Sequence, residues 1–234
     1  MKIDAAQDVV VILCARNEAA RIGETLEALV GALPGAALLV VDDASSDGTA
    51  EVAAEMGAEA LSAPSRLGKG GAATLGARRA LELQGSAGRY LLCDADLGSS
   101  AAALVALLEA LDDADLAVAA FERRAGGGFG IARGFARWAI RDLCGRQLDA
   151  PISGQRALSA QCLDAVLPFA PRFGMEIAMS CDAVRAEMRL VEVVVDLEHR
   201  ASGRTARGFA HRLKQLSDFL LAYASRRWAR AASG

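Results

Sequence analysis

Asp94-Ala95-Asp96 follows directly on the apolar run Tyr90-Leu91-Leu92-Cys93. Two carboxylates one residue apart, where a chain leaves the pleat of a strand, can turn toward one crevice. Their oxygens are hard ligands suited to Mg2+ or Mn2+, ions that complete their shells with diphosphate oxygens and water. An ion held there acts as a Lewis acid on a departing diphosphate. The plainer alternative is a solvated pair of turn carboxylates, because an isolated Asp-x-Asp is common by chance.

Other polar clusters surround this pair in the sequence. Asp42-Asp43-Ala44-Ser45-Ser46-Asp47-Gly48-Thr49 follows Leu38-Leu39-Val40-Val41. A carboxylate there can accept from a nucleobase N–H or a ribose hydroxyl. Asp47 or Ser46 is expected to cap the next helix, whereas Asp42 and Asp43 lie upstream and need another purpose. Gly68-Lys69-Gly70-Gly71 suits either an anion-binding helix N-terminus or a loop with a surface lysine. It is no Walker A loop, since Ala63 stands at the first glycine position and Gly70 replaces the Ser/Thr. A Rossmann fingerprint is excluded as well: Cys14-Ala15-Arg16-Asn17 follows the first apolar run without a glycine. Glu176 opens a helix beside Gly174, where a carboxylate suits the positive helix end. It could orient an acceptor hydroxyl or act as a base. His199, in the polar stretch Glu198-His199-Arg200, is a metal or phosphate contact or else a surface residue, and His211 reads as structural.

The elements that must position these groups alternate. Val9 to Leu13, Leu38 to Val41, Ala58 to Leu61, Tyr90 to Cys93 and Leu116 to Ala120 read as buried strands. Helices are expected from an Asn17 cap to Leu33, to Met56, from Lys69 to Leu83 and from Ala101 to Leu111. That alternation predicts right-handed crossovers and a mostly parallel α/β sheet flanked by helices. Ligands in such sheets bind beyond the carboxyl ends of the strands. Asn17-Glu18, Asp42-Asp43 and Asp94-Asp96 all follow strand ends, the strongest structural argument in the sequence. The second half adds a glycine-rich loop from Arg123 to Gly130, a helix from Ile131 to Cys144 and the turn Asp149 to Gly154. A short strand near Arg156 to Leu158, a helix from Met175 to Glu187 and a strand from Leu190 to Val195 complete it.

The 234 residues suit one large domain, taken as 1–206, followed by a basic amphipathic helix within 207–234. With 53% hydrophobic but only 5% aromatic residues, the core must be built from Ala, Leu and Val. No apolar run approaches the roughly 20 residues of a membrane span, and Met1-Lys2-Ile3-Asp4 lacks the order of a signal peptide. Five cysteines without CxxC spacing read as reduced core thiols in the cytoplasm. The net charge of -3 hides an asymmetry: His199 to Gly234 holds eight Lys/Arg against one acid, leaving 18 basic and 28 acidic residues elsewhere. A basic tail on an acidic body is expected to meet something anionic. Phe209, Leu213, Leu216, Leu220 and Tyr223 form one apolar stripe on the last helix. It packs on the body, on a second subunit as a homodimer contact, or on the inner membrane face. Arg200, Arg204 and Arg207, just before it, could meet an acceptor phosphate.

Taken in order, Ala15-Arg16-Asn17-Glu18, Val40 to Thr49, Gly68-Lys69-Gly70 and Asp94-Ala95-Asp96 resemble the family-2 glycosyltransferases of the GT-A fold. The likeness covers roughly residues 9 to 200. Asp149-Ala150-Pro151-Ile152-Ser153-Gly154-Gln155-Arg156 is similar to a segment of dolichyl-phosphate mannose synthases. Gly174-Met175-Glu176-Ile177 and His199-Arg200 are similar to segments of glucosyl-3-phosphoglycerate synthases. The resemblance implies that Glu18 and Asp43 or Asp42 contact the nucleoside, with Arg66 and Lys69 facing phosphate. It implies that Asp94 and Asp96, spanning Ala95, bind metal and sugar diphosphate, with His199 a further ligand or diphosphate contact. Ser153, Gln155 and Arg156 would then lie toward the acceptor. Ala15-Arg16 replaces the family's proline before Asn-Glu, which leaves the base open.

The expected activity is transfer of a hexose from a UDP- or GDP-sugar to a phosphorylated acceptor, a polyprenyl phosphate or a small metabolite. A phosphate oxygen would need no base; a hydroxyl would need Glu176 or Asp149. No nucleic acid partner is expected. A nucleotidyltransferase is one rival, although it should carry a glycine-rich loop after the first strand. A non-catalytic nucleotide-sugar-binding protein is another.

Overall fold

The computed structural model describes residues 7–85, 88–121, 130–197 and 216–228. The expected glycine-rich loop falls largely outside these, as do His199, Arg200, Arg204, Arg207, His211 and the first part of the last helix.

Seven strands form one sheet: β1 (Val9–Ala15), β2 (Ala37–Asp42), β3 (Glu59–Ser62), β4 (Arg89–Asp94), β5 (Leu116–Phe121), β6 (Arg156–Ser159) and β7 (Leu190–Val195). Their spatial order is β3-β2-β1-β4-β6-β5-β7. All adjacent pairs are parallel except those of β6, which runs antiparallel to β4 and to β5. The expected mostly parallel α/β sheet flanked by helices is therefore present.

Helices α1 (Ile22–Ala32), α2 (Thr49–Glu55), α3 (Lys69–Gln84), α4 (Val105–Glu109), α5 (Gly130–Cys144), α6 (Ala160–Val166) and α7 (Met175–Arg185) flank it. An eighth, α8, spans 216–228. The sheet is buried on both faces, as its continuous β-branched runs require. Val10 and Ile12 of β1 join one core cluster with α3, α5 and α7; Val9, Val11 and Leu13 join the other with α1. On α1, Ile22, Thr25, Leu26 and Leu29 are buried at helical spacing. Each of the large aliphatics contributes about 1.5–3 kcal/mol.

The low aromatic content has a structural counterpart in α3, which buries Gly70, Ala72, Ala73, Gly76, Ala77 and Ala80. A Cβ on Gly76 would stand 2.6 Å from Ile12 Cγ2 and 2.8 Å from Val41 Cγ2. The helix lies so low on the sheet that small residues are compulsory there.

Several expectations need correction. Asn17 does not cap α1; it adopts a left-handed backbone (φ 55°) and the helix begins after Arg21. The α2 cap is Gly48, not Asp47 or Ser46. The expected helix from Ala101 to Leu111 is mainly two 3-10 segments, Gly98–Leu104 and Ala110–Asp112, around the five-residue α4. The inward face of α8 is Phe219 and Ala222 with Asp218, while Leu220 of the expected stripe is 48% exposed. No helix among the described residues is long and apolar enough to cross a membrane.

Candidate active site

From β1 the chain steps outward through β2 and β3, then returns to β4 on the other side of β1. That reversal opens a crevice at the carboxyl ends of β1 and β4, where Cys14 registers with Asp94. Because β6 runs backwards, its first residues reach the same edge. Asp94 is thereby enclosed from two sides. Lys69 Nζ donates to its Oδ1 at 2.8 Å, and Gln155 Nε2 donates to its Oδ2 at 2.6 Å. Lys69 Nζ is also 3.3 Å from Glu176 Oε1, a carboxylate buried at the start of α7. Gly154 presses on this group: a Cβ there would lie 3.1 and 3.2 Å from the Asp94 oxygens and collide with Lys69 Nζ.

Burial alone would push the Lys69 ammonium down, but Asp94 and Glu176 outweigh it and hold Lys69 well above the ordinary lysine value. The lysine is a fixed cation between two carboxylates. Beside it, burial pushes the Cys14 thiol up to about 12, so it remains protonated.

The nucleoside side is built from two interlocked loops. Ser45 Oγ accepts from the Asn17 N–H, and Asn17 Oδ1 accepts from the Ser46 N–H. Thr49 Oγ1 accepts from Glu18 N–H, and Asp47 Oδ2 from Ala19 N–H. Two left-handed non-glycine residues, Asn17 and Ala44 (φ 56°), permit the turns. Strain of this kind is characteristic of functional loops.

Asp43, buried, receives the Leu67 N–H at 2.5 Å and the Gly68 N–H at 3.0 Å, so both oxygens anchor the segment entering α3. Its own N–H is held by the Ala15 carbonyl. Asp42 accepts from the Ser45 N–H. Arg16 and Arg66 are exposed and extend the rim.

Glu18 is the unsettled member of this group. Its Oε2 is buried without a hydrogen-bond partner; Arg21 stands 3.0 Å away without hydrogen-bond geometry. Burial raises the Glu18 pKa, Arg21 opposes this, and Asp96, Asp47 and Asp94 add to it. A buried acceptor left unpaired costs about 1–3 kcal/mol, which a bound donor group would relieve.

Asp96 is exposed, and no hydrogen bond or ion pair joins it to another described residue. Its hard oxygens fit Mg2+ or Mn2+. The charge balance fits too: Lys69 is already held between Asp94 and Glu176, Asp94 and Asp96 act on Glu18, and a diphosphate entering this acidic crevice would be repelled without a cation between. No group of three or more His, Cys, Asp or Glu converges on one point among the described residues. Asp96 and the diphosphate itself would be the main ligands within that set. All five cysteines are free thiols, Cys93, Cys162 and Cys181 buried and Cys14 and Cys144 half-buried.

Of the acceptor-side expectations, Gln155 and Ser153 lie at the site: Ser153 Oγ donates to Gln155 Oε1 and sets the amide that holds Asp94. Arg156 lies beneath it, fully enclosed, donating to the carbonyls of Ser153 and Pro151 and to Ser180 Oγ. Burial lowers its pKa to about 10. It is a strut that ties the 151–153 turn to α7 rather than a phosphate contact. Asp149 is exposed and pairs with Arg137, while its N–H and that of Ala150 donate to Glu192. None of these bonds joins Asp149 to the Lys69 cluster.

Thr25 belongs to no sequence motif, yet its hydroxyl donates to the Ala95 carbonyl and accepts the Gly98 N–H. It fixes the backbone on both sides of Asp96. A polar residue at an inward position of α1, between Ile22 and Leu26, is the one signal of it in the sequence.

Comparison with known proteins agrees with this geometry. The family model "Glycosyl transferase family 2" matches residues 10–157. The chain is 33% identical to an undecaprenyl-phosphate mannosyltransferase of Micrococcus luteus, across 84% of this chain and 86% of that protein. Among solved structures it resembles glucosyl-3-phosphoglycerate synthase from Mycobacterium tuberculosis bound to phosphoglyceric acid. That match has a TM-score of 0.74 and 25% identity, and covers 93% of this chain and 79% of the other. The same enzyme with Mn2+, UDP-glucose and phosphoglyceric acid matches at TM-score 0.72 and 26% identity, with the same coverage.

Proposed function

The chain belongs to glycosyl transferase family 2, and from that premise we propose that it moves a hexose from a UDP- or GDP-sugar to a phosphorylated acceptor. The observation that carries this reading is the Asp94 cluster: a carboxylate clamped by Lys69 and Gln155 beside an exposed Asp96. A Mn2+ complex with UDP-glucose is known for the structurally similar synthase.

In this reading Glu18 and Asp43 line the nucleoside end, Glu18 with an oxygen that accepts no hydrogen bond and Asp43 through the backbone it fixes. Asp94 holds Lys69 in place, and Lys69 offers fixed positive charge to the donor phosphates. Asp96 is the principal protein ligand for Mg2+ or Mn2+, which neutralises the departing nucleoside diphosphate when bound. His199 would join it from the segment after β7. Glu176, four residues beyond Arg172 and paired with Lys69, faces the sugar or the acceptor. An acceptor phosphate oxygen is already anionic and needs no base. For a hydroxyl acceptor Glu176 fits better than Asp149, which lies in a separate network. Arg200 and Arg204 would meet the acceptor phosphate, and the enzyme works on the cytoplasmic side, where its thiols stay reduced.

A thermal-shift panel of UDP-, GDP-, CDP- and dTDP-sugars, with and without Mn2+, tests the donor assignment. A rise with a UDP- or GDP-sugar that requires the metal is the expected result. Equal rises without metal would overturn the role of Asp96.

A further inference from the structure

The outward face of α8 carries an apolar surface that the body leaves uncovered. Leu220 is 48% exposed, Leu221 67% and Trp228 80%. With Ala224 these residues recur at positions 220, 221, 224 and 228, one side of an α-helix. The opposite side is fastened down: Phe219 and Ala222 are buried, and Arg226 pairs with Asp182 on α7 at 2.7 Å. Tyr223 donates to Asp142 on α5, and its ring lies 5.0 Å from that of Trp138, itself 43% exposed. The helix is thus apolar on both sides, and its inner side already has a partner.

Charge identifies what covers the outer side. The acidic residue of α8, Asp218, is buried, while Arg227 on its flank is exposed. The segment from His199 onward holds eight Lys/Arg against that one acid, and the rest of the chain is acidic. Exposed apolar side chains including a tryptophan, carried on a segment whose sequence is strongly basic, are complementary to the interface of an anionic bilayer. The acidic body would be repelled by the same surface, so the molecule would dock tail-first.

We propose that the outer face of α8, through Leu220, Leu221 and Trp228, docks the enzyme on an anionic membrane surface. The position of the helix gives this a purpose. A Cβ on Gly174 would stand 2.8 Å from Ala222 Cβ and 3.1 Å from the Asp218 carbonyl, so α8 packs directly on the turn leading into Glu176. A helix is about 10 Å thick. Docking its far side sets the headgroup plane roughly one helix away from the turn that presents Glu176. That placement suits a lipid-borne phosphate acceptor, and to this extent the inference rests on the proposed function.

Vesicle co-sedimentation of the full chain tests it without any substrate, so a failed donor assignment leaves the result readable. Vesicles of phosphatidylcholine mixed with phosphatidylglycerol should bind the protein, and phosphatidylcholine alone should bind it weakly. The double variant Leu221→Glu, Trp228→Glu should weaken binding at least about tenfold, with an unchanged Tm because both side chains are exposed. Absence of binding to the mixed vesicles, or equal binding by the variant, would overturn the proposal. So would a concentration-dependent dimer, seen by light scattering, that the variant abolishes while vesicle binding is missing; a second copy would then cover the face.

Discussion

Lys69 Nζ lies 2.8 Å from Asp94 Oδ1 and 3.3 Å from Glu176 Oε1, so one ammonium joins the end of β4 to the start of α7. The two carboxylates come from opposite halves of the chain. The cation between them offsets the repulsion of two like charges brought to one site.

Replacing Lys69 by Met should therefore do more than remove a phosphate contact. Transfer should fall by about 100-fold or more, the cost of losing one fixed electrostatic contact. Lys69→Arg should rescue poorly, because a planar fork cannot occupy a site built for a compact ammonium. Steady-state kinetics on both variants would check this, and near-normal kcat/KM in Lys69→Met would remove Lys69 from the mechanism.

Asp96→Ala should leave Tm unchanged, since the side chain is exposed and unpaired among the described residues. The Mn2+-dependent part of the thermal shift with nucleotide sugar should vanish, and transfer with it. Full activity would show that the metal is held elsewhere.

At Gly154 the prediction is steric. A Cβ would strike Lys69 Nζ and crowd Asp94. Gly154→Ala should cost about 1–3 kcal/mol by overpacking and reduce kcat, measured by denaturant unfolding and by initial rates. An unaltered enzyme would mean that the 153–155 turn moves freely.

The Glu18 carboxyl titrates above its ordinary value, mainly through burial. The native state then holds this proton more tightly than the unfolded chain. The associated stability is present at low pH and is lost as pH rises through the native value. Glu18→Gln should raise Tm at neutral pH, and the gain should shrink as pH falls below the carboxylate range. Tm profiles that run parallel for the two proteins would contradict it. Donor binding should weaken in the same variant.

Thiol reactivity separates two half-buried cysteines. Its hydrogen bond with Cys181 brings Cys144 down to about 7, against burial, whereas burial takes Cys14 up to about 12. Alkylation near pH 8, followed by mass spectrometry, should label Cys144 first.

Much of this arrangement is legible in the sequence because it depends on local pattern. Continuous β-branched runs announce buried strands, and polar residues just beyond them mark the ligand edge. The reversed direction of β6 is not legible that way, because four residues of strand look the same in either sense. The role of Arg156 is hidden for a similar reason. An arginine beside a catalytic turn looks like an anion contact until its donors are seen to end on Ser153, Pro151 and Ser180. Asn17 resembles a helix cap, yet its side chain joins one loop to another, and Asp47 divides its oxygens between Thr49 at the start of α2 and the Ala19 N–H on the other loop. Contacts between loops distant in sequence leave no periodic trace.

The reversal of β6 also coincides with the end of the segment that matches the family. That match ends at 157, just inside this strand, and everything proposed to hold the donor, apart from His199 and Glu176, precedes that point. The distal part carries α7, α8 and the basic tail. Variation there is expected to change the recipient of the proposed transfer while the proposed donor residues stay as they are. A chimaera joined within β6 to the distal half of a relative should keep its donor and adopt the relative's acceptor.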